Sequence, residues 1–155
     1  MRRSWKLLWK TVLMDPRYFN FLQDHSRNYL EMALNREREG TLANPDGYGR
    51  RTGDCQDTVE VFLEIINGTI RNIAYRADGC LNTHACANTV AKLAQDKPVS
   101  AAWDITPEQV IEYLGTLPER EHHCAELAVG AFYRALVDYQ NMQKAPWKRQ
   151  YRTKL

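Results

Sequence analysis

The segment GCLNTHAC, residues 79–86, sets Cys80 and Cys86 six positions apart with His84 between them, in a 155-residue chain that holds four cysteines. Three chemistries fit such a stretch: metal ligation, half of a disulfide framework, or a small-residue helix start that carries thiols incidentally. The remaining cysteines are Cys55, with Asp57 two residues on, and Cys124, directly preceded by His122 and His123. Thiolates are soft ligands suited to iron–sulfur clusters and zinc, whereas a carboxylate is a harder and more exchangeable partner. Three cysteines with a weak fourth ligand would hold a cluster and still release it.

Short-range spacing does not make Cys80 and Cys86 a pair. Six residues correspond to about 600° of helical rotation, so the two share a ligand face only if Cys80 lies outside the regular helix. A small-residue setting favours Cys86 as a buried, inert thiol. His84, one turn after Cys80, is read first as a surface or capping residue and only second as a ligand, and His122 is equally open beside His123.

The elements that position these residues are legible from periodicity. Val59, Val61, Leu63 and Ile65 alternate with Glu60 and Glu64, Asn67-Gly68 marks a two-residue turn, and TIRNIAYRA is the return strand. That hairpin sets Glu64 opposite Arg71 and Phe62 opposite Ile73. An antiparallel hairpin brings the end of its second strand back to the start of its first, so Cys55 and Cys80 share one end of the sheet. If the helix that starts near His122 points the same way, Cys124 joins them, each thiol sitting where backbone amides favour thiolate.

Around the hairpin the pattern is helical. Trp5, Leu8, Trp9, Val12 and Leu13 form the apolar stripe of a basic N-terminal helix, read as packing against its own domain or a second subunit, with a membrane surface or acidic partner as the alternative. DPRYFNFLQDHSRNYLEMALNRERE follows as one helix ended by Gly40, with Tyr18, Phe21, Leu22, Tyr29, Met32 and Ala33 on its buried side. The stretch from Asn44 to Cys55 reads as a turn-rich loop. Ala87, Val90, Ala91 and Ala94 give a small-residue helix face, Thr106 to Gln109 is a capping box, and Leu127, Ala128, Ala131, Leu136 and Val137 point inward from the last helix. Helices, a hairpin, then helices specify an α+β class: a small antiparallel sheet, the hairpin plus an optional edge strand, with helices on one face. The expected organisation is an N-terminal helical extension over 1–40, a main α+β domain over 41–144 and a basic, mobile tail over 145–155.

Bulk properties exclude more than they name. A formal charge of +2 is far from the excess of a dedicated nucleic-acid binder. Lys6 and Lys10 interrupt the apolar run near the N-terminus and no small-residue cleavage site follows, so secretion is not expected. With no spanning segment either, the expected location is the cytoplasm, where thiols stay reduced.

NPDGYG, GDCQD, ADGC and LPEREHHC, in that order around a hairpin, resemble the U-type iron–sulfur cluster assembly scaffolds, the IscU and NifU N-terminal group, over about residues 25–142. The resemblance implies that Cys55, Cys80 and Cys124 are cluster-building thiolates, that Asp57 keeps the cluster labile, and that His123 is an alternative ligand. It implies a transient [2Fe-2S] cluster built from iron and from persulfide sulfur delivered by a cysteine desulfurase, then passed to apo acceptor proteins, with no small substrate turned over. Zinc is the competing metal, in a sulfur-transfer protein, because three cysteines with Asp or His form an ordinary tetrahedral set. Oligomeric state, including a homodimer, stays open. Two departures stand out: Gln56 replaces the usual glycine after the first cysteine, and the short loop before Cys55 leaves the edge strand reduced or lost. The family's chaperone-binding motif survives only as Leu117 and Pro118, with Glu121 reversing a lysine charge, so a dedicated Hsp70-type chaperone is not expected.

Overall fold

The computed structural model describes residues 16–151. The proposed basic helix from Trp5 to Leu13, and the side chain of Tyr18, lie outside the described residues. The elements are α1 (Pro16–Asp24), α2 (Arg27–Leu34), β1 (Gly47–Thr52), β2 (Thr58–Ile66), β3 (Thr69–Asp78), α3 (Leu81–Ala94), α4 (Val99–Ala102), α5 (Pro107–Leu114) and α6 (His122–Lys144). The three strands form an antiparallel sheet in the order β1-β2-β3. The α+β expectation holds.

The sheet's helix-covered face is set by alternation. Gly49, Val61 and Tyr75 share it through the β1–β2 and β2–β3 registers. There Gly47 and Gly49 lie so close to α6 that an added Cβ would stand 2.4 Å and 2.2 Å from the carbonyl oxygens of Ala135 and Ala131. Glycine is used here for close approach of backbone to backbone. These glycines belong to the edge strand, so the stretch from Asn44 read as a loop in fact contains β1. Its glycines lower strand propensity in the sequence, and only the helix packed across them restores it.

The hairpin forms as expected around Asn67-Gly68, both with positive φ (53° and 74°), the conformation of a type I′ turn. Its register is correct next to the turn, where Ile65 faces Ile70, but slips by one beyond it. Glu64 pairs with Asn72 and Phe62 with Ala74. Arg71 is the extra residue of a β-bulge. The cause is burial: Ile70 and Ile73 are an odd number of residues apart, and the bulge lets both be buried while Arg71 and Asn72 are exposed.

The single helix expected before Gly40 is two. Ser26 caps α2, its Oγ accepting from Tyr29 N–H at 3.1 Å and donating to the Leu114 carbonyl, while its own N–H donates to Thr116 Oγ1 at 2.9 Å. Tyr29, Met32 and Ala33 then enter the same buried core as the sheet, α3, α5 and α6. The Thr106 half of the predicted capping box forms, with Gln109 N–H donating to Thr106 Oγ1 at 3.3 Å. Of the residues expected inward on α6, Val137 is instead 45% exposed, because the face of α6 over β1 is carried by Ala131 and Ala135. Beyond α6, Pro146–Tyr151 forms a 3-10 helix in which Arg149 pairs with Asp46 at 2.8 Å.

Candidate metal centre

The β2–β3 register brings Thr58 opposite Asp78, which sets Asp57 against Gly79 just outside the sheet. A Cβ on Gly79 would lie 2.5 Å from the Asp57 carboxyl carbon, so this carboxylate reaches the site only across a glycine. Cys80 then N-caps α3, and its backbone N–H lies 3.4 Å from Asp57 Oδ2. One turn on, the buried Thr83 hydroxyl donates to the same oxygen at 2.5 Å and lies 3.5 Å from both Cys80 Sγ and Cys124 Sγ.

Cys124 is contributed by the first turn of α6. Its Sγ is 3.6 Å from Glu121 Oε2 and 3.6 Å from His123 Nε2, and those two partners are 3.9 Å apart. The other imidazole nitrogen of His123 faces the Arg120 carbonyl at 3.0 Å, which fixes the ring. Among the described residues two donor sets therefore meet at Cys124: Asp57, Cys80 and Cys124, and Glu121, His123 and Cys124, each with ligand atoms within 4.8 Å of one another.

Cys55 is not within either set. It sits exposed on the turn from Gly53 to Asp57, closed by Gln56 N–H to Gly53 O and Gly53 N–H to Asp57 O, and lines an adjoining cleft of about 480 Å³ with Arg51, His123 and Leu127. Gln56 adopts φ +69°, the left-handed region that glycine enters freely, so the replacement keeps the turn and bears its strain. His123 lines the cleft and also belongs to the second donor set.

Burial governs the thiols. It pushes Cys124 from its ordinary 9.0 up to about 12, reinforced by the neighbouring Cys80 and Glu121. The expectation that a helix start would favour thiolate therefore fails at Cys124, because desolvation outweighs the nearby amides. Cys86 is buried in the core and burial raises its thiol well above the ordinary value, as the inert reading required. His84 is turned away: it contacts Arg36, lies 3.9 Å from Glu39 and meets Tyr75 edge-on, and burial followed by the Arg36 charge lowers its pKa. His122 enters neither donor set.

Thr83 and Glu121 are the site neighbours that the sequence reading passed over as such. Each stands three residues from a cysteine, Thr83 after Cys80 and Glu121 before Cys124, which is the helical signal that would have found them.

The model of the NifU-like N-terminal domain family matches residues 26–146. The chain belongs to that family. Within the NifU-like group, it is 32% identical over 101 residues to an iron–sulfur cluster assembly scaffold protein IscU of Archaeoglobus fulgidus, covering 64% of this chain and 66% of the relative. It is 24% identical over 119 residues to the IscU of Aquifex aeolicus, covering 75% and 76%. Among solved structures, the N-terminal NifU-like protein of Brucella abortus superposes with a TM-score of 0.62 at 20% identity, covering 77% of this chain and 97% of that one. A putative SUF-system scaffold from Fervidobacterium islandicum gives the same TM-score at 14% identity, covering 74% and 97%. These two likenesses establish the NifU-like fold.

Proposed function

We propose that this NifU-like chain is a scaffold on which an iron–sulfur cluster is assembled and from which it is passed to apo acceptor proteins. The observation that carries the reading is the convergence of Asp57, Cys80 and Cys124 at one end of the sheet, with Cys55 and His123 on the adjoining cleft. Iron and sulfide are the cargo. Exposed Cys55 and Cys80 are the thiols an incoming persulfide reaches first, and a cysteine desulfurase is the donor class this chemistry needs. Sulfur arrives by attack of a thiolate on the outer persulfide sulfur, which leaves the donor as its thiolate, and an external electron donor then supplies the two electrons per sulfur that release it as sulfide. Cys124 gives up its proton as metal arrives, since ligation requires thiolate. Asp57 supplies the harder, exchangeable ligand that lets a [2Fe-2S] unit leave again. His123, at the border of cleft and donor set, is the alternative ligand during that exchange.

Anaerobic reconstitution with iron, cysteine and a desulfurase tests the proposal. Acid-labile sulfide and a visible chromophore are expected in the wild type and lost in Cys55→Ala and Cys124→Ala. Retention of the full chromophore in both variants would sink it.

One observation favours a second reading, zinc-held sulfur transfer. The ligand atoms of Asp57, Cys80 and Cys124 already lie within 4.8 Å of one another, near the roughly 3.3–3.8 Å separations around tetrahedral zinc. Tight stoichiometric zinc, no chromophore and faster desulfurase turnover would identify it.

A further inference from the structure

We propose that Thr83 is a positioning residue that holds Asp57 in the ligand shell, and that metal retention depends on its hydroxyl. The inference rests on the metal-binding reading above. Thr83 is fully buried, and its hydroxyl has three polar atoms around it: Asp57 Oδ2 at 2.5 Å and the sulfurs of Cys80 and Cys124 at 3.5 Å each. The short contact to a carboxylate has the length of a charge-assisted O–H···O⁻ bond, so the proton goes to Asp57 rather than to sulfur.

Asp57 itself is only half-buried, at the open end of the sheet, with solvent as an alternative. The Gly79 backbone crowds it from one side, the Cys80 N–H approaches at 3.4 Å, and the Thr83 hydroxyl makes the one short hydrogen bond among these contacts. Partners that orient a ligating group contribute to metal affinity without touching the metal. A valine at 83 keeps the shape of the side chain and removes the proton, leaving the carboxylate free to turn outward.

The test uses the full-length chain loaded with zinc and, separately, with cobalt(II). Zinc release to a competing chelator is timed for wild type, Thr83→Val, Thr83→Ser, Asp57→Ala and the Asp57→Ala/Thr83→Val double variant. Thr83→Val is expected to release zinc faster by about 10–100-fold and to shift the cobalt ligand-field bands toward those of Asp57→Ala. Thr83→Ser restores the wild-type rate and spectrum, and Thr83→Val adds nothing once Asp57 is gone. Release at the wild-type rate in Thr83→Val, or an equal acceleration in the Asp57→Ala background, overturns the role of Thr83 while leaving the metal site standing. A wild type that takes up neither metal overturns both readings together.

Discussion

The four thiols differ in chemistry because they differ in surroundings. Cys55 and Cys80 are exposed, Cys124 and Cys86 are buried, and burial holds Cys124 near a pKa of about 12. In metal-free protein near neutral pH, a time course of alkylation followed by mass spectrometry is expected to modify Cys55 and Cys80 first, Cys124 far more slowly and Cys86 only on unfolding. Equal rates at all four would contradict the burial pattern. The same thiol links stability to pH: Cys124 titrates at about 12 when folded and 9.0 when free. Its contribution is complete below pH 9 and is lost as pH climbs toward 12, because only the unfolded chain releases the proton easily. Tyr75 behaves likewise, with burial raising its hydroxyl from 10.0 to about 12, and that hydroxyl is buried without a hydrogen-bond partner among the described residues. Removing an unsatisfied buried polar group relieves its desolvation, so Tyr75→Phe is expected to be neutral or to stabilise by up to about 1 kcal/mol in urea unfolding. A loss of more than that would mean the hydroxyl has a partner in solution.

At the level of elements, the edge strand and the turn that follows it carry the tightest local constraints. An alanine at Gly49 would drive a Cβ into the α6 backbone, 2.2 Å from the Ala131 carbonyl and 2.4 Å from the Ala135 nitrogen. Helix backbone does not yield as a flexible side chain does, so Gly49→Ala is expected to destabilise by about 3 kcal/mol, the upper end for overpacking. Calorimetry would show it as a fall in Tm. Gln56 presents the opposite case, an L-residue held at φ +69°. A left-handed backbone costs such a residue about 1–2 kcal/mol, and glycine's extra unfolded-state freedom returns part of that, so Gln56→Gly is expected to gain about 1 kcal/mol. The urea midpoint measures it, and a decrease would show that the glutamine side chain contributes more than its backbone loses. The edge strand also shows why β1 was harder to read than the hairpin. Val59 to Ile65 announce themselves by alternation, whereas Gly47 and Gly49 are strand residues only because α6 lies across them. Ser26, in contrast, carries a helix-capping signature that the continuous aromatic stripe obscured.

On the scale of the whole molecule, the sheet end gathers Asp57 from the start of β2, Cys80 from the start of α3 and Cys124 from the start of α6. Candidate ligands drawn from separate elements would tie metal uptake to folding, because the unfolded chain does not assemble them. Zinc at about 100 times its dissociation constant is therefore expected to stabilise the wild type by about 2.7 kcal/mol. The increment in Tm with and without zinc should vanish in Cys124→Ala, which belongs to both donor sets. An undiminished increment would place the ion elsewhere.

The amino-acid sequence by itself determined the hairpin, the α+β class and the sharing of one sheet end by Cys55, Cys80 and Asp57, because alternation and turn chemistry act between near neighbours. Only the tertiary structure decided which groups touch. It separated Cys55 from the donor sets at Cys124 and turned His84 toward Arg36. It also placed Thr83 between Asp57 and two sulfurs. Those outcomes depend on how α3 and α6 pack against the sheet and on the water they exclude, and burial, unlike periodicity, is set by residues far apart in the chain.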